Sequence, residues 1–393
     1  MSHQNLITSL VAASFVATSF AQTKGTTKDD SHHKEITEQM RLERVEMQES
    51  TRNAMMQLKE REITVDIPIT LATNIYIDNN NRNIEIKTWD LQKIKISAFT
   101  PNQQESPVYK SNLIWLEQMN ITTKSFGEKF TISTAAYNNY SNSNEGFETN
   151  IIKKTITIYV PKDNKLNIES KYGDVAVKNF IRKIDADITN GNLDLEKTNT
   201  LNLRSKYSNI NINEVDKGEI DFINGNLFIQ NINEVELDSK YSTVEINASK
   251  KMVIKSINDN YELENIAVLE GFKNYGTLRI TNLQESIELN GTNADIKLKN
   301  ISASVKAISI DNKYADLRLP LKKIKNFSLI YDGSYSTIYK NFETENRVNG
   351  QSGENESKIT TGDAQNSSFK AILGNGKDAT VKIRCQNCTV DFK

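Results

Sequence analysis

From residue 63 onward, apolar and polar residues alternate in short runs separated by polar corners. Val175-x-Val177, Leu193-x-Leu195, Ile210-x-Ile212, Leu227-x-Ile229, Val244-x-Ile246, Leu278-x-Ile280 and Ile296-x-Leu298 hold mainly polar residues between them, such as Asp194, Asn211 and Glu245. A period of two with one apolar face predicts half-buried strands. A second short strand precedes each corner, as in Ile184-x-Ala186-x-Ile188, Leu201-x-Leu203 and Ile287-x-Leu289.

The corners repeat. Each has Tyr or Asn, a small residue, then Asp, Asn or Thr, then an apolar residue: Tyr172-Gly173-Asp174-Val175, Asn190-Gly191-Asn192-Leu193, Tyr207-Ser208-Asn209-Ile210, and so on to Tyr335-Ser336-Thr337-Ile338. Counted on the apolar residue from Val175 to Ile338, the steps are 18, 17, 17, 17, 17, 17, 18, 21 and 21. A fixed period decides architecture before any other signal. Seventeen residues make two strands and two corners. The sequence therefore predicts an all-β, single-stranded parallel β-solenoid (β-helix). Coils stacked at about 4.8 Å place inward Val, Leu and Ile in apolar columns and allow corner amides to form ladders. About a dozen such coils would span about 50–60 Å.

Tyr and Asn alternate at the first corner position, so the full sequence repeat is two coils. Tyr172, Tyr207, Tyr241 and Tyr275 then recur every second coil, about 9.6 Å apart. Two readings stand side by side: a ladder that packs the corner, which is the plainer one, and an aromatic stripe that stacks on sugar or peptide.

The ends depart from this grammar. Met1–Ala21 has no Asp, Glu, Lys or Arg, an apolar stretch from Leu6 to Ala17, and Ser19-Phe20-Ala21 ahead of Gln22. This reads as a secretory signal peptide. Residues 22–62 are polar and suit a tail or a weak amphipathic helix. The solenoid is expected over 63–393. Irregular insertions are expected at about 100–150, as a projecting hairpin, and at 343–368, as a polar loop. Val381-x-Ile383 and Asn387-Cys388-Thr389-Val390 read as a last coil.

Composition narrows function more than fold. Lys+Arg is 49 and Asp+Glu is 50, which disfavours nucleic-acid and electrostatic membrane binding. No segment after the leader is long and apolar enough to cross a bilayer. The two cysteines, Cys385 and Cys388, admit a redox motif, half a zinc site or a local disulfide. A zinc site needs two more ligands, and His32 and His33 are far away in sequence. Strands on both sides oppose a thioredoxin-like setting, so a disulfide or two free thiols at a turn is favoured.

No P-loop, G-x-S-x-G, H-E-x-x-H or Ca²⁺ nonapeptide is present, and no cofactor or metal is expected. Carboxylates spaced by two, such as Asp185/Asp187, Asp194/Glu196 and Glu262/Glu264, could serve a glycosidase or lyase. They are more simply a solvated strand face.

The run Asn-Ile-Glu-Ile-Lys-Thr-Trp-Asp at 83–90, Tyr-Val-Pro at 159–161 and the repeated Ser-Lys-Tyr and Asn-Gly-Asn corners resemble bacterial adhesin-like β-solenoids of the head-domain type. These are abundant in the Bacteroidota and largely without assigned function. The resemblance covers about 63–393 and implies the fold directly. It implies a non-catalytic binding or scaffold role at the cell envelope or outside, with a protein or glycan partner. A carbohydrate-active β-helix enzyme and a structural spacer are the alternatives.

Overall fold

The structure, a computed structural model, describes residues 60–101, 112–135, 155–340, 342, 358–359 and 366–393. The described residues belong to the second of two units along the chain, Glu60–Lys393. The expected leader, and the expected tail up to residue 59, lie outside the described residues.

The second unit is centred on three strands that run on through successive corners: β9 (Val175–Thr189), β10 (Asn192–Lys240) and β11 (Thr243–Ile301). Each coil pairs in parallel with the next at the offset read from the sequence. Leu227 lies over Val244, Ile229 over Ile246 and Leu237 over Ile254. Inward residues such as Ile212, Ile229, Ile246 and Ile254 are fully buried. Each contributes roughly 1.5–3 kcal/mol relative to exposure. The protein is the parallel β-solenoid that the period predicts.

Each corner turns through a left-handed residue. Twelve corner residues have φ between 50° and 63°: Asn81, Tyr172, Asn190, Tyr207, Asn224, Tyr241, Asn258, Tyr275, Asn293, Tyr314, Tyr335 and Asn387. Asn tolerates this region, whereas a bulky residue there is strained. The corner N–H is satisfied by the next coil: Tyr172 N–H donates to Thr189 O, Asn190 to Lys206 O and Tyr241 to Ile257 O, each at 3.1 Å. The following residue turns inward into a tight slot. A Cβ on Gly225 would collide with the Ser208 carbonyl.

Both ends of the stack are built out of chain order. β2 (Asn74–Asn80) and β3 (Ile84–Trp89) come early in the chain. They are not the outermost coil. β2 lies between β6 (Lys129–Thr134) and β8 (Lys165–Lys171), and β3 lies between β7 (Ile156–Pro161) and β9. The insertion expected at 100–150 as a projecting hairpin contains an antiparallel pair of strands, Ile121–Phe126 and Lys129–Thr134, that joins the stack. It supplies helix α1 (Asn112–Gln118) and strand β5 (Ile121–Phe126), and β6 packs as half of the outer coil. β5 pairs antiparallel with β6. β4 (Lys93–Pro101) pairs antiparallel with β7, and β1 (Glu60–Pro68) pairs antiparallel with β4.

The other end repeats this plan. β12 (Ala307–Lys313) and β13 (Leu317–Arg318) are followed in the chain by β14 (Phe327–Ser334) and β15 (Thr337–Tyr339). Yet β18 (Ala379–Gln386) and β19 (Thr389–Asp391) insert between them. The last coil in sequence is thus next to last in space. Within the expected loop at 343–368, the described residues include two short stretches of strand. β16 (Lys358–Ile359) and β17 (Asn366–Leu373) pair antiparallel on β15 and β14. Turning a strand back in this way covers the unpaired edge that a parallel stack would otherwise offer to another chain.

Candidate functional site

Inserting the coil of Asn387 has a consequence at the corner. In sequence, Tyr314 is followed by Tyr335 and the alternation breaks. In space it does not. Tyr314 N–H donates to Gln386 O at 2.8 Å, and Asn387 N–H donates to Ser334 O at 2.9 Å. Asn387 therefore sits between the two tyrosines. From Asn81 to Tyr335, twelve stacked corners alternate Asn and Tyr without exception. The alternation belongs to neighbours in the stack, not to neighbours in the chain.

The corner tyrosines face solvent. Tyr172, Tyr207, Tyr241 and Tyr275 are 51 to 62% exposed, and Tyr314 and Tyr335 extend the row. Two residues on runs a polar ladder. Asn192 Nδ2 donates to Asp174 Oδ1 (2.8 Å), Asn209 Nδ2 to Asn192 Oδ1 (3.0 Å), Asn226 Nδ2 to Asn209 Oδ1 (2.8 Å) and Thr277 Oγ1 to Asn260 Oδ1 (3.0 Å). A groove of 570 Å³ opens on this side, lined in part by Asn83, Asp174, Asn192, Asn209, Asn226 and Thr243. At every second corner an exposed tyrosine stands two residues before the ladder position.

A second feature is internal. Asp259 is fully buried in the inward slot. Its Oδ2 accepts from Ser239 Oγ (2.8 Å), Ser256 Oγ (2.7 Å) and the Ile257 N–H (3.0 Å), and its Oδ1 accepts from the Ser242 N–H (2.8 Å). The Ser239 proton is committed to Asp259, so the Tyr261 hydroxyl donates to Ser239 Oγ at 2.6 Å. Lys273 Nζ donates to Ser256 Oγ (3.1 Å) and to the carbonyls of Asp259 (2.8 Å) and Tyr275 (3.1 Å). It lies 5.1 Å from the Tyr261 ring centroid.

Burial lowers the Lys273 pKa from 10.5 to about 8, partly offset by the Asp259 charge. Burial pushes the Tyr261 hydroxyl well above its usual range. Two serine hydroxyls and two backbone amides converge on one carboxylate, and the cluster ties three coils together. The repeat pattern alone does not single it out. Its signal lies in Asn258-Asp259-Asn260-Tyr261, where Asp fills a slot that is Gly, Ser or Ala in the other regular coils, with Arg82 and Cys388 in it toward the ends, and Tyr fills an apolar one. Lys273 likewise stands where Ser170, Ser205 and Ser239 stand.

Four of the six paired carboxylates serve the stack, and Asp194 lines the groove. Asp185 accepts from Asn202 Nδ2 and is bridged by Lys165, Asp187 pairs with Arg204 at 3.3 Å, Glu196 accepts the Asn179 N–H, and Glu262 pairs with Arg279 at 2.7 Å. Cys385 and Cys388 flank the Asn387 corner, both buried, with their sulfurs joined and Cα atoms 6.1 Å apart. The adjacent coil clips the same two positions with a hydrogen bond, Asn312 Nδ2 to Ala315 O at 2.9 Å. Among the described residues no group of three or more His, Cys, Asp or Glu could hold a metal ion, and no helix is long and apolar enough to cross a membrane.

Comparison with known proteins adds a family. A family model described as Toastrack DUF4097 matches residues 72–389. Among curated proteins, none matches this chain. A Clostridium sporogenes crystal structure described as a "putative cell adhesion protein" is 9% identical, with a TM-score of 0.20, over 85% of this chain and 99% of that one. A Bacteroides fragilis structure described as a "putative adhesin" is 17% identical, with a TM-score of 0.26, over 65% of this chain and 95% of that one. At these scores neither likeness carries an argument.

Proposed function

The chain belongs to the Toastrack DUF4097 family, and from that footing we propose an exported, adhesin-like binding or scaffold protein, non-catalytic, that makes contact through its tyrosine-lined corner edge. One observation carries the reading. A left-handed backbone is costly for Tyr and cheap for Asn, and every second coil shows that Asn fits the position. The tyrosines are more than half exposed, so burial does not offset the strain. Strain held where the fold has no need of it points to a role outside the fold.

The carboxylates favour binding over catalysis. A glycosidase needs two carboxyl groups facing one substrate with one of them free to protonate. Here four of the six paired carboxylates, Asp185, Asp187, Glu196 and Glu262, are engaged by a Lys, Arg, Asn or backbone partner, and only the pair Asp194/Glu196 places a carboxylate, Asp194, on the groove. The same tyrosines speak against an inert spacer, for which Asn at every corner would suffice. Export rests on the uncharged, apolar stretch before Gln22.

Two measurements test the proposal. Fractionation of producing cells should place the chain outside the cytoplasm. Purified protein on combined glycan and protein arrays should show a ligand whose signal falls when Tyr207 and Tyr241 are replaced by Asn. Turnover of a polysaccharide that is lost with one carboxylate pair would reverse the assignment.

A further inference from the structure

We infer that the corner edge binds an uncharged, linear β-1,4-linked glycan, with every second sugar ring stacked on a tyrosine. The inference rests on the edge being a contact surface and goes further by naming the ligand class.

The first argument is spacing. The tyrosines recur every second coil through Tyr172, Tyr207, Tyr241, Tyr275, Tyr314 and Tyr335, about 9.6 Å apart. Alternate pyranose rings of a β-1,4-linked chain are turned over relative to one another. Like faces therefore recur every two sugars, an interval close to that of the tyrosines. The C–H face of a pyranose is an apolar patch that suits an aromatic ring. The intervening Asn corners leave room for the rings that face away. The alternation holds in space even where chain order breaks it, as a repeating external ligand would require.

The second argument is chemistry. Asn192 and Asn209 each give one N–H and one carbonyl lone pair to the ladder. An amide has a second N–H and a second lone pair, and both residues are exposed. The ladder thus offers a row of donors and acceptors at single-coil spacing, matched to hydroxyls or acetamides on successive sugars.

The third is charge. The ladder column contains Asp174, Asp295 and Asp316 and no Lys or Arg from Asn83 to Asp316. On the other flank, Lys171 is bound by Glu169 at 2.8 Å. Lys206, Lys240 and Lys313, each directly before a corner tyrosine, share that flank with Asp221 and with Asp187 and Asp311, which pair with Arg204 and Arg384. On the ladder side the edge has no cationic track for a polyanion, and the lysines beside the tyrosines stand among carboxylates. It complements a neutral, hydroxyl-rich chain.

The test is calorimetric titration of the full chain with β-1,4-linked tetra-, hexa- and octasaccharides of glucose and of N-acetylglucosamine. An α-1,6-linked glucose octasaccharide and a hyaluronan octasaccharide serve as comparators. Affinity should rise with each added pair of sugars. Tyr207→Asn and Tyr241→Asn should each weaken octasaccharide binding about three- to tenfold, with the melting temperature unchanged or raised. Equal binding of either comparator, no binding of the β-1,4 series, or binding indifferent to the two substitutions would overturn the inference. Should a protein ligand found on the arrays need these tyrosines while the oligosaccharides do not bind, the glycan inference fails and the contact surface stands. Should every ligand ignore them, both fail.

Discussion

Lys273 donates from Nζ to the backbone carbonyl of Asp259, one coil away, at 2.8 Å. An ammonium group is thereby held in the core of a β-stack, with two further oxygen acceptors from Ser256 and Tyr275. Removing one member of such a network leaves the others buried without compensation.

Lys273→Met is therefore expected to lower stability by about 3 kcal/mol, read from the denaturant midpoint. The double variant Asp259→Ser with Lys273→Phe should recover most of that loss. It reproduces the arrangement of Ser208, Phe222 and Gly225 three coils earlier, where Phe222 is fully buried beside a glycine slot. A double variant no more stable than Lys273→Met would show that the network is not replaceable by packing.

Stability should also depend on alkaline pH in a way specific to this cluster. The folded Lys273 loses its proton at about pH 8, whereas the unfolded lysine keeps it to 10.5. Between these values the unfolded chain binds more protons, so stability rises with pH. Below pH 8 both states are charged and the gain is absent. Tyr261 works in the opposite sense. Its pKa is raised by burial, so its contribution is full below its unfolded value of 10 and is lost as pH climbs beyond it. Denaturation curves should show stability rising from about pH 8 to about pH 10 and then levelling or falling. The rise should vanish in Lys273→Met.

Replacing a corner tyrosine by asparagine should stabilise the protein. Tyr207 has φ 55° and Tyr241 φ 56°, and Asn224, in the coil between them, has φ 56°. Tyr207→Asn thus keeps the backbone and relieves strain, for a gain of about 0.5–1 kcal/mol. A loss in melting temperature instead would mean that the rings contribute packing that their exposure does not suggest.

The cysteine clip should be dispensable when its neighbour's solution is supplied. Cys385→Asn with Cys388→Ala copies Asn312 and Ala315, the residues that fill these positions in the coil below. Closing so short a loop is worth about 2 kcal/mol, and the replacement hydrogen bond returns about 1 kcal/mol. The double variant should therefore melt within a few degrees of the parent, while Cys385→Ala with Cys388→Ala melts lower. Thiol titration of the unreduced, unfolded protein should find no free thiol.

The regular coils are legible in the sequence because their cause is local. A strand of period two and a corner every 17 residues leave the same mark each time, and the pairing of Leu227 with Val244 follows from that offset. The ends are not legible. Ile310 pairs with Ile383, 73 residues on, while its chain successor Tyr331 lies on the far side of that strand. A period read along the chain places successive coils side by side and says nothing about one that enters later. A trace remains in the broken alternation at Tyr314 and Tyr335 and in the unmatched Asn387. The tyrosine row is readable as an alternation, but the exposure of its rings is not, because strand spacing says nothing about which way a corner side chain points. The buried cluster is marked only by single residues out of character at Asp259, Tyr261 and Lys273.

Because internal segments form both outermost coils, this protein cannot gain length at its extremities. β16 and β17 close one face of the pile, and β1 and β5 the other. A duplicated pair of windings would find a compatible berth only in the middle, between Tyr172 and Tyr314, and only as a Tyr–Asn couple of 34 or 35 residues. Growth in evolution, or by design, would have to proceed by splicing at the waist.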